Sequence, residues 1–255
     1  MAAMRSGSEG VSSIRFEADD NHVNLISLVP PPSQLTLRSY NVLTGALVQV
    51  SLKEWIMGGL FSQRSLVIHG HAQCAKTPVA RAVCAFLATR LQAASGNDPF
   101  YLKVGTADTL RDATRDGLMR AGVPILFDEV SPAAPRGSRH AMGIEDVKHM
   151  TEAAETSSLD GRCKDIVFAY PQPKLFTSNA ASPHEWFNAL PIDIFVQTDA
   201  QRLALHADVA AVFKRCYFLH VTNCMIPQSV HDRHEADKLA SLSAQMSSFV
   251  GPDLP

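Results

Sequence analysis

The period of the apolar positions changes several times along the chain, and each change marks an element. From Ser51 the segment SLKEWIMGGLF places Leu52, Trp55, Ile56 and Leu60 three and four apart, which predicts a short amphipathic helix after a Ser N-cap. Leu66-Val67-Ile68 is a short apolar run, followed by the turn-like HGHAQCA and by Val79, Val83, Phe86, Leu87 and Leu91 at helical spacing. That order reads as strand, loop, helix. A second unit follows, with Phe100 to Val104 as a strand, Ala107 to Ala121 as a polar helix and Val123 to Phe127 as an apolar strand. Ile144 to Thr156 has helical character, Lys174 to Thr177 is a further strand and Cys216 to Val221 makes a fifth. Apolar strands alternating with helices predict an α/β fold with a five-stranded, mainly parallel sheet and helices on both faces.

Outside this pattern the composition shifts. The first 35 residues hold SGSEG, the acidic EADD run and Pro30-Pro31-Pro32-Ser33, so residues 1–50 read as a tail and lead-in segment. After Pro227 the chain turns polar, and HDRHEADKLASLSAQMSSF reads as a loosely attached helix in a C-terminal tail, 227–255. With 46% hydrophobic and 19% charged residues, the 255-residue chain can bury one substantial core, which excludes a disordered polymer. No run approaches the roughly 18 apolar residues of a membrane span, and Met1 to Gly10 lacks a signal-like apolar stretch. The expectation is a soluble intracellular protein with no membrane contact. Cys74, Cys84, Cys163, Cys216 and Cys224 form no CxxC, so buried thiols are expected rather than a disulfide scaffold or closed zinc site. A net charge of −2 counts against wholesale polyanion binding, so any nucleic-acid contact must be local.

The strongest chemical signal lies in the first strand-loop-helix unit. Gly70-His71-Ala72-Gln73-Cys74-Ala75-Lys76-Thr77 matches GxxxxGKT except that Ala75 stands in place of the second glycine. In such a loop backbone N–H groups wrap phosphates, a lysine here numbered Lys76 reaches the terminal ones, and Thr77 can ligate magnesium. Pro78 suits the first helical turn, where its missing N–H costs little. The methyl of Ala75 opposes close approach of backbone to phosphate, which would weaken nucleotide affinity.

Val123-Pro124-Ile125-Leu126-Phe127-Asp128-Glu129 is an apolar strand that ends in two acids. Ligands of open parallel sheets collect at the carboxyl ends of strands, so both acids should arrive beside the loop. There Asp128 would hold magnesium and Glu129 would polarise the attacking water. Lys174-Leu175-Phe176-Thr177-Ser178-Asn179 ends in polar residues, and Asn179 could orient water against a γ-phosphate. The plainer alternatives are surface acids capping a strand and an Asn turn.

With these three motifs in order, the chain resembles the superfamily 3 helicase ATPase domain, particularly the Rep proteins of small DNA viruses. The likeness runs from about Ser51 to Asn223 and takes in Trp55 and Arg64, GHAQCAKT, ILFDE, KLFTSNAASPHEWF with Trp186 and Phe187, and FKRCYFLHV. It implies an AAA+-like P-loop NTPase core over 51–226, ATP and Mg2+ as ligands, and a homo-oligomeric ring, usually a hexamer, that translocates on single-stranded DNA. It further implies that Arg215, or less readily Lys214, reaches a neighbour's ATP as an arginine finger, with a flanking surface charge as the bland alternative. The nearest match to the family's DNA-binding motif is Lys148 with Gly161-Arg162-Cys163-Lys164. Between Val130 and Pro173, however, Arg136, Arg139, Lys148, Arg162 and Lys164 face six acids, Glu145, Asp146, Glu152, Glu155, Asp160 and Asp165, a net of −1. This is no basic patch, although a hairpin tip can still present a few cations, here Arg162 and Lys164. Rep proteins commonly carry an N-terminal nicking nuclease, for which residues 1–50 are too few, so such a nuclease would be a separate partner.

Other groupings are weaker. His231 and His234 lack further ligands, His69 and His71 flank the loop glycine, and a Cys74–His71 nucleophile-base pair has no evident oxyanion partner. The competing functions are a nonhydrolytic nucleotide-binding or assembly module, which Ala75 favours, and a small-molecule P-loop kinase, which the tandem acids and the TSN segment match poorly.

Overall fold

The computed structural model describes residues 25, 28–40, 47–95, 98–105, 107–129, 144–159, 165–183, 207, 209–227, 229, 232 and 236. In chain order the elements are β1 (Thr36–Tyr40), β2 (Leu47–Ser51), α1 (Leu52–Met57), β3 (Ser65–Gly70), α2 (Lys76–Arg90), β4 (Ala94–Ser95), β5 (Asp98–Pro99) and β6 (Leu102–Val104). Then come α3 (Ala107–Arg115), β7 (Ile125–Phe127), α4 (Ile144–Thr151), β8 (Ser157–Leu159), β9 (Ile166–Phe168), β10 (Lys174–Ser178) and β11 (Cys216–Val221). Residues 209–215, helical as well, lead directly into β11.

The main sheet runs β2-β1-β11-β3-β10-β7-β6. From β11 to β6 every neighbouring pair is parallel, while β1 joins β11 and β2 in antiparallel fashion. The α/β class is therefore as the periodicity implies, but among the described residues the sheet has seven strands and not five. The two further strands come from residues 36–51, most of them assigned by composition to the lead-in. Their signal is faint for a physical reason: at the edge of a sheet only one side of each strand is covered. Leu35, Leu37 and Ser39 alternate inward while Thr36 and Arg38 face out, and Leu47 and Val48 of the edge strand β2 are exposed.

Inner strands carry the opposite pattern, buried at every position in β3 and β10. Leu66 and Ile68 point to one face, where Leu52, Trp55 and Ile56 of α1 and Val79, Val83 and Leu87 of α2 cover them. Val67 points to the other, packed in a cluster with Leu110 of α3, Val147 and Met150 of α4, Val212 and Phe213. There Phe127 and Phe176 of adjacent strands stack with ring centroids 4.4 Å apart. Helices on both faces of a parallel sheet leave its strand ends as the accessible backbone.

Local sequence sets several boundaries. Ser51 caps α1 in a reciprocal box, Glu54 N–H donating to Ser51 Oγ at 3.1 Å and Ser51 N–H to Glu54 Oε2 at 2.6 Å. Trp55 Nε1 donates to the Arg64 carbonyl at 3.0 Å, and the Arg64 guanidinium bonds Ser39 Oγ and lies 5.2 Å from the Tyr217 ring centroid. Those residues thus fasten β1 to the parallel sheet. The helices α3 and α4 stop at Arg115 and Thr151, short of the expected Ala121 and Thr156, and α4 is followed by the β8–β9 hairpin. Among the described residues no helix is long and apolar enough to cross a membrane. Most of the C-terminal segment, including His231 and His234, lies outside the described residues, as do Trp186 and Phe187.

Candidate functional site

The phosphate-loop candidate leaves the carboxyl end of β3 and enters α2 at Lys76. Gly70 has φ +139, and a Cβ there would lie 2.0 Å from the Val221 carbonyl oxygen of β11, so only glycine fits. Gln73 and Ala75 both adopt the left-handed region, with φ of 64 and 59. Ala75 therefore has the backbone conformation that glycine usually supplies and holds it with a methyl attached. It is also the N-cap residue of α2 and gives no side-chain cap, so the helix opens toward the loop on backbone N–H groups alone.

Lys76 is buried, and its ammonium donates to the loop carbonyls of Gly70, at 3.0 Å, and His71. Burial pushes its pKa down, opposed by Cys74 and by the negative charge of Glu129. His71, Ala72 and Gln73 form the exposed outer arc of the loop. Cys74 turns inward, its thiol directed at the Ala72 and Thr222 carbonyls, 3.7 and 3.9 Å away, and the Cys74 carbonyl accepts from Met225 N–H at 3.4 Å. The thiol thus braces the loop against the segment after β11, which gives it a structural partner in place of a nucleophile's base.

Parallel register brings the other motifs alongside. Phe127 pairs with Phe176, and Phe176 with Val67, so the residues following β7 and β10 emerge at the same end as the loop. Asp128 Oδ1 accepts hydrogen bonds from both Thr77 Oγ1 and Thr177 Oγ1, each at 2.8 Å, and Asp128 Oδ2 pairs with Lys103 Nζ at 2.7 Å. Burial alone would raise the pKa of this carboxyl; the bonds from Lys103, Thr77 and Thr177 outweigh it and hold the group below the usual range. Glu129 takes a left-handed conformation, φ 55, with its N–H donating to Thr177 Oγ1 at 3.0 Å. Asn179 Nδ2 reaches Glu129 Oε1 at 3.4 Å. Beneath this turn His69 stacks on His220 with centroids 4.9 Å apart, and its Nδ1 lies 3.3 Å from the Ala180 carbonyl.

Gly70, Lys76, Thr77, Asp128, Glu129 and Asn179 therefore converge, as their positions at strand ends imply. Lys103 and Thr177 join the same cluster through Asp128; Thr177 opens the TSN segment, whereas only the alternation of β6 could have pointed to Lys103. Magnesium is commonly held by one or two protein oxygens together with phosphates and water. The paired Thr77 hydroxyl and Asp128 carboxylate are a donor set of that kind, and among the described residues no group of three or more His, Cys, Asp or Glu offers another.

The remaining candidates lie elsewhere. Arg215 stands at the amino end of β11, where Cys216 pairs with Ser65, roughly 16 Å from the loop at about 3.3 Å per residue. Its Nε pairs with Glu152 Oε2 at 2.5 Å and its Nη1 donates to the Ala211 carbonyl at 3.1 Å. Within one subunit it does not touch the site; these bonds tie Glu152, just after α4, to the helical residues that lead into β11. Lys214 beside it is exposed. Lys148 lies on α4, partly buried, while Arg162 and Lys164, with Gly161 and Cys163, fall in the connection between β8 and β9, outside the described residues. Comparison of the sequence with protein-family models and with curated proteins finds no match.

Proposed function

We propose that the chain is an ATP-dependent helicase or translocase ATPase of Rep type, which hydrolyses ATP with magnesium and acts on single-stranded DNA. The observation that carries this reading is the convergence of Lys76, Thr77, Asp128, Glu129 and Asn179 at one end of three neighbouring parallel strands. Loop N–H groups and Lys76 would bind the phosphates, while Thr77 and Asp128 would hold magnesium, which supplies charge neutralisation at the phosphate oxygens. Glu129 would accept a proton from the attacking water, with Asn179, already in contact with its carboxylate, fixing that water's direction. Arg215 would complete the site of a neighbouring subunit in a ring, with the hexamer as the expected size. The DNA part of the proposal draws on Arg162 and Lys164, which lie in sequence between β8 and β9 and which, repeated over six subunits, would add modest cationic contributions.

Ala75 favours the second reading, a nucleotide-binding or assembly module without helicase activity. ATP turnover by the purified chain, with and without single-stranded DNA, separates the two. On the leading reading DNA stimulates turnover, and Glu129→Gln retains nucleotide while losing about 100-fold or more in rate. Lys76→Ala should lose nucleotide binding altogether. Equal affinity of wild type and Lys76→Ala for ATP would remove both readings, whereas tight binding without turnover would leave the second.

A further inference from the structure

β6 alternates Leu102 and Val104 into the core formed with α3 and α4. The same alternation turns Lys103 to the opposite face, the face of its register partner Leu126 and hence of Asp128 two residues later. Its ammonium sits 2.7 Å from Asp128 Oδ2. Asp128 Oδ1 is occupied from the other side by the two threonine hydroxyls at 2.8 Å, so both oxygens of the carboxylate are engaged by the protein itself.

These donors are not equivalent. Thr177 is buried in β10, whereas the Lys103 side chain keeps 35% exposure on a flexible four-carbon stem at the edge of the sheet. A divalent cation approaching Oδ2 would meet an ammonium at hydrogen-bond distance, and two cations cannot share that position without strong repulsion. Lys103 is the donor able to leave.

We propose that Lys103 is the internal counter-cation of the metal-side carboxylate, competing with magnesium for Asp128 and so setting the magnesium concentration at which the site loads. The inference rests on the reading of Asp128 as a magnesium ligand, and it adds a residue that tunes that step. Lys103→Met keeps most of the stem and removes the charge. Thermal melting of the full chain, titrated with MgCl2 alone and with choline chloride matching ionic strength, reads the competition without nucleotide. The variant should gain a magnesium-dependent rise in melting temperature whose midpoint lies about tenfold below any response of the wild type. Adding Asp128→Asn to Lys103→Met should abolish the gain.

Lys103→Gln, which also lacks the charge but can still hydrogen bond, should behave like Lys103→Met and serves if the latter fails to fold. Repeating the titration with a fluorescent ATP analogue should show the same lowering of the magnesium midpoint for nucleotide binding. An unchanged or raised midpoint in both uncharged variants would overturn the proposal. If the variants gain the response to MgCl2 but no form binds the analogue, Lys103 keeps its role and the nucleotide reading falls.

Discussion

Gly70 and Ala75 meet opposite steric demands within one loop. At Gly70 the β11 backbone leaves no room for a Cβ, so Gly70→Ala must displace either the loop or β11. At Ala75 the difficulty is conformational: the left-handed region costs an L-residue about 1–2 kcal/mol, while glycine loses about 0.5–1 kcal/mol through its freer unfolded chain. Ala75→Gly should therefore stabilise the protein by roughly 0.5–1 kcal/mol in urea denaturation and tighten ATP binding, and Gly70→Ala should destabilise it by about 3 kcal/mol or more. An unchanged ATP affinity in Ala75→Gly would clear the methyl as an obstacle to phosphate. The residue identities at this scale were legible as a motif. Ala75's left-handed backbone and Lys103's hold on Asp128 were not, because one is a dihedral angle and the other joins residues that only the sheet brings together.

At the scale of elements, the carboxyl end of α4 is built on a buried cation. The Lys174 ammonium, at the start of β10, donates to the Glu152 carbonyl, with the His149 carbonyl 3.5 Å away, and lies 4.4 Å from the centroid of the Phe168 ring. A cation suits a helix carboxyl end, yet burial pushes the Lys174 pKa from its ordinary 10.5 down to about 7, against the pull of Glu152 and Cys216. Between those two values the unfolded chain binds more protons than the folded one, so this residue makes stability rise with pH from about 7 to about 10. Lys174→Met should flatten that rise, measured as the urea midpoint at a series of pH values against wild type. A parallel pH profile in the variant would assign the dependence to other groups. Helical spacing continues toward Thr156, yet α4 ends at Thr151, because Lys174 binds the Glu152 carbonyl and the β8–β9 hairpin takes over the chain beyond it.

Over the whole molecule, the candidate finger and the candidate phosphate loop lie at opposite ends of one sheet, so a single subunit cannot join them. If neighbours complete each other's sites, turnover per chain should rise with protein concentration as subunits associate. Arg215→Ala should bind ATP normally yet lose about 1000-fold or more in hydrolysis, and mixing it with Lys76→Ala should restore part of the rate. Because Arg215 also pairs with Glu152, circular dichroism of the variant separates a lost finger from a lost fold. A monomer at every concentration with unaltered turnover would exclude the ring.

The sequence by itself determined the α/β class, the succession of the five parallel strands and the end of the sheet at which the chemistry gathers. Buried parallel strands are continuous apolar runs, and the polar residues that follow them must surface at their ends. Tertiary structure alone decided the antiparallel β1–β2 edge, whose half-covered strands bury few apolar residues and so leave a weak pattern. It also decided which partners each carboxylate receives. Thr77, Lys103, Asp128 and Thr177 come from α2, β6, the residue after β7 and β10, and hydrogen bonds among them depend on strand order and register, which no local run of residues encodes.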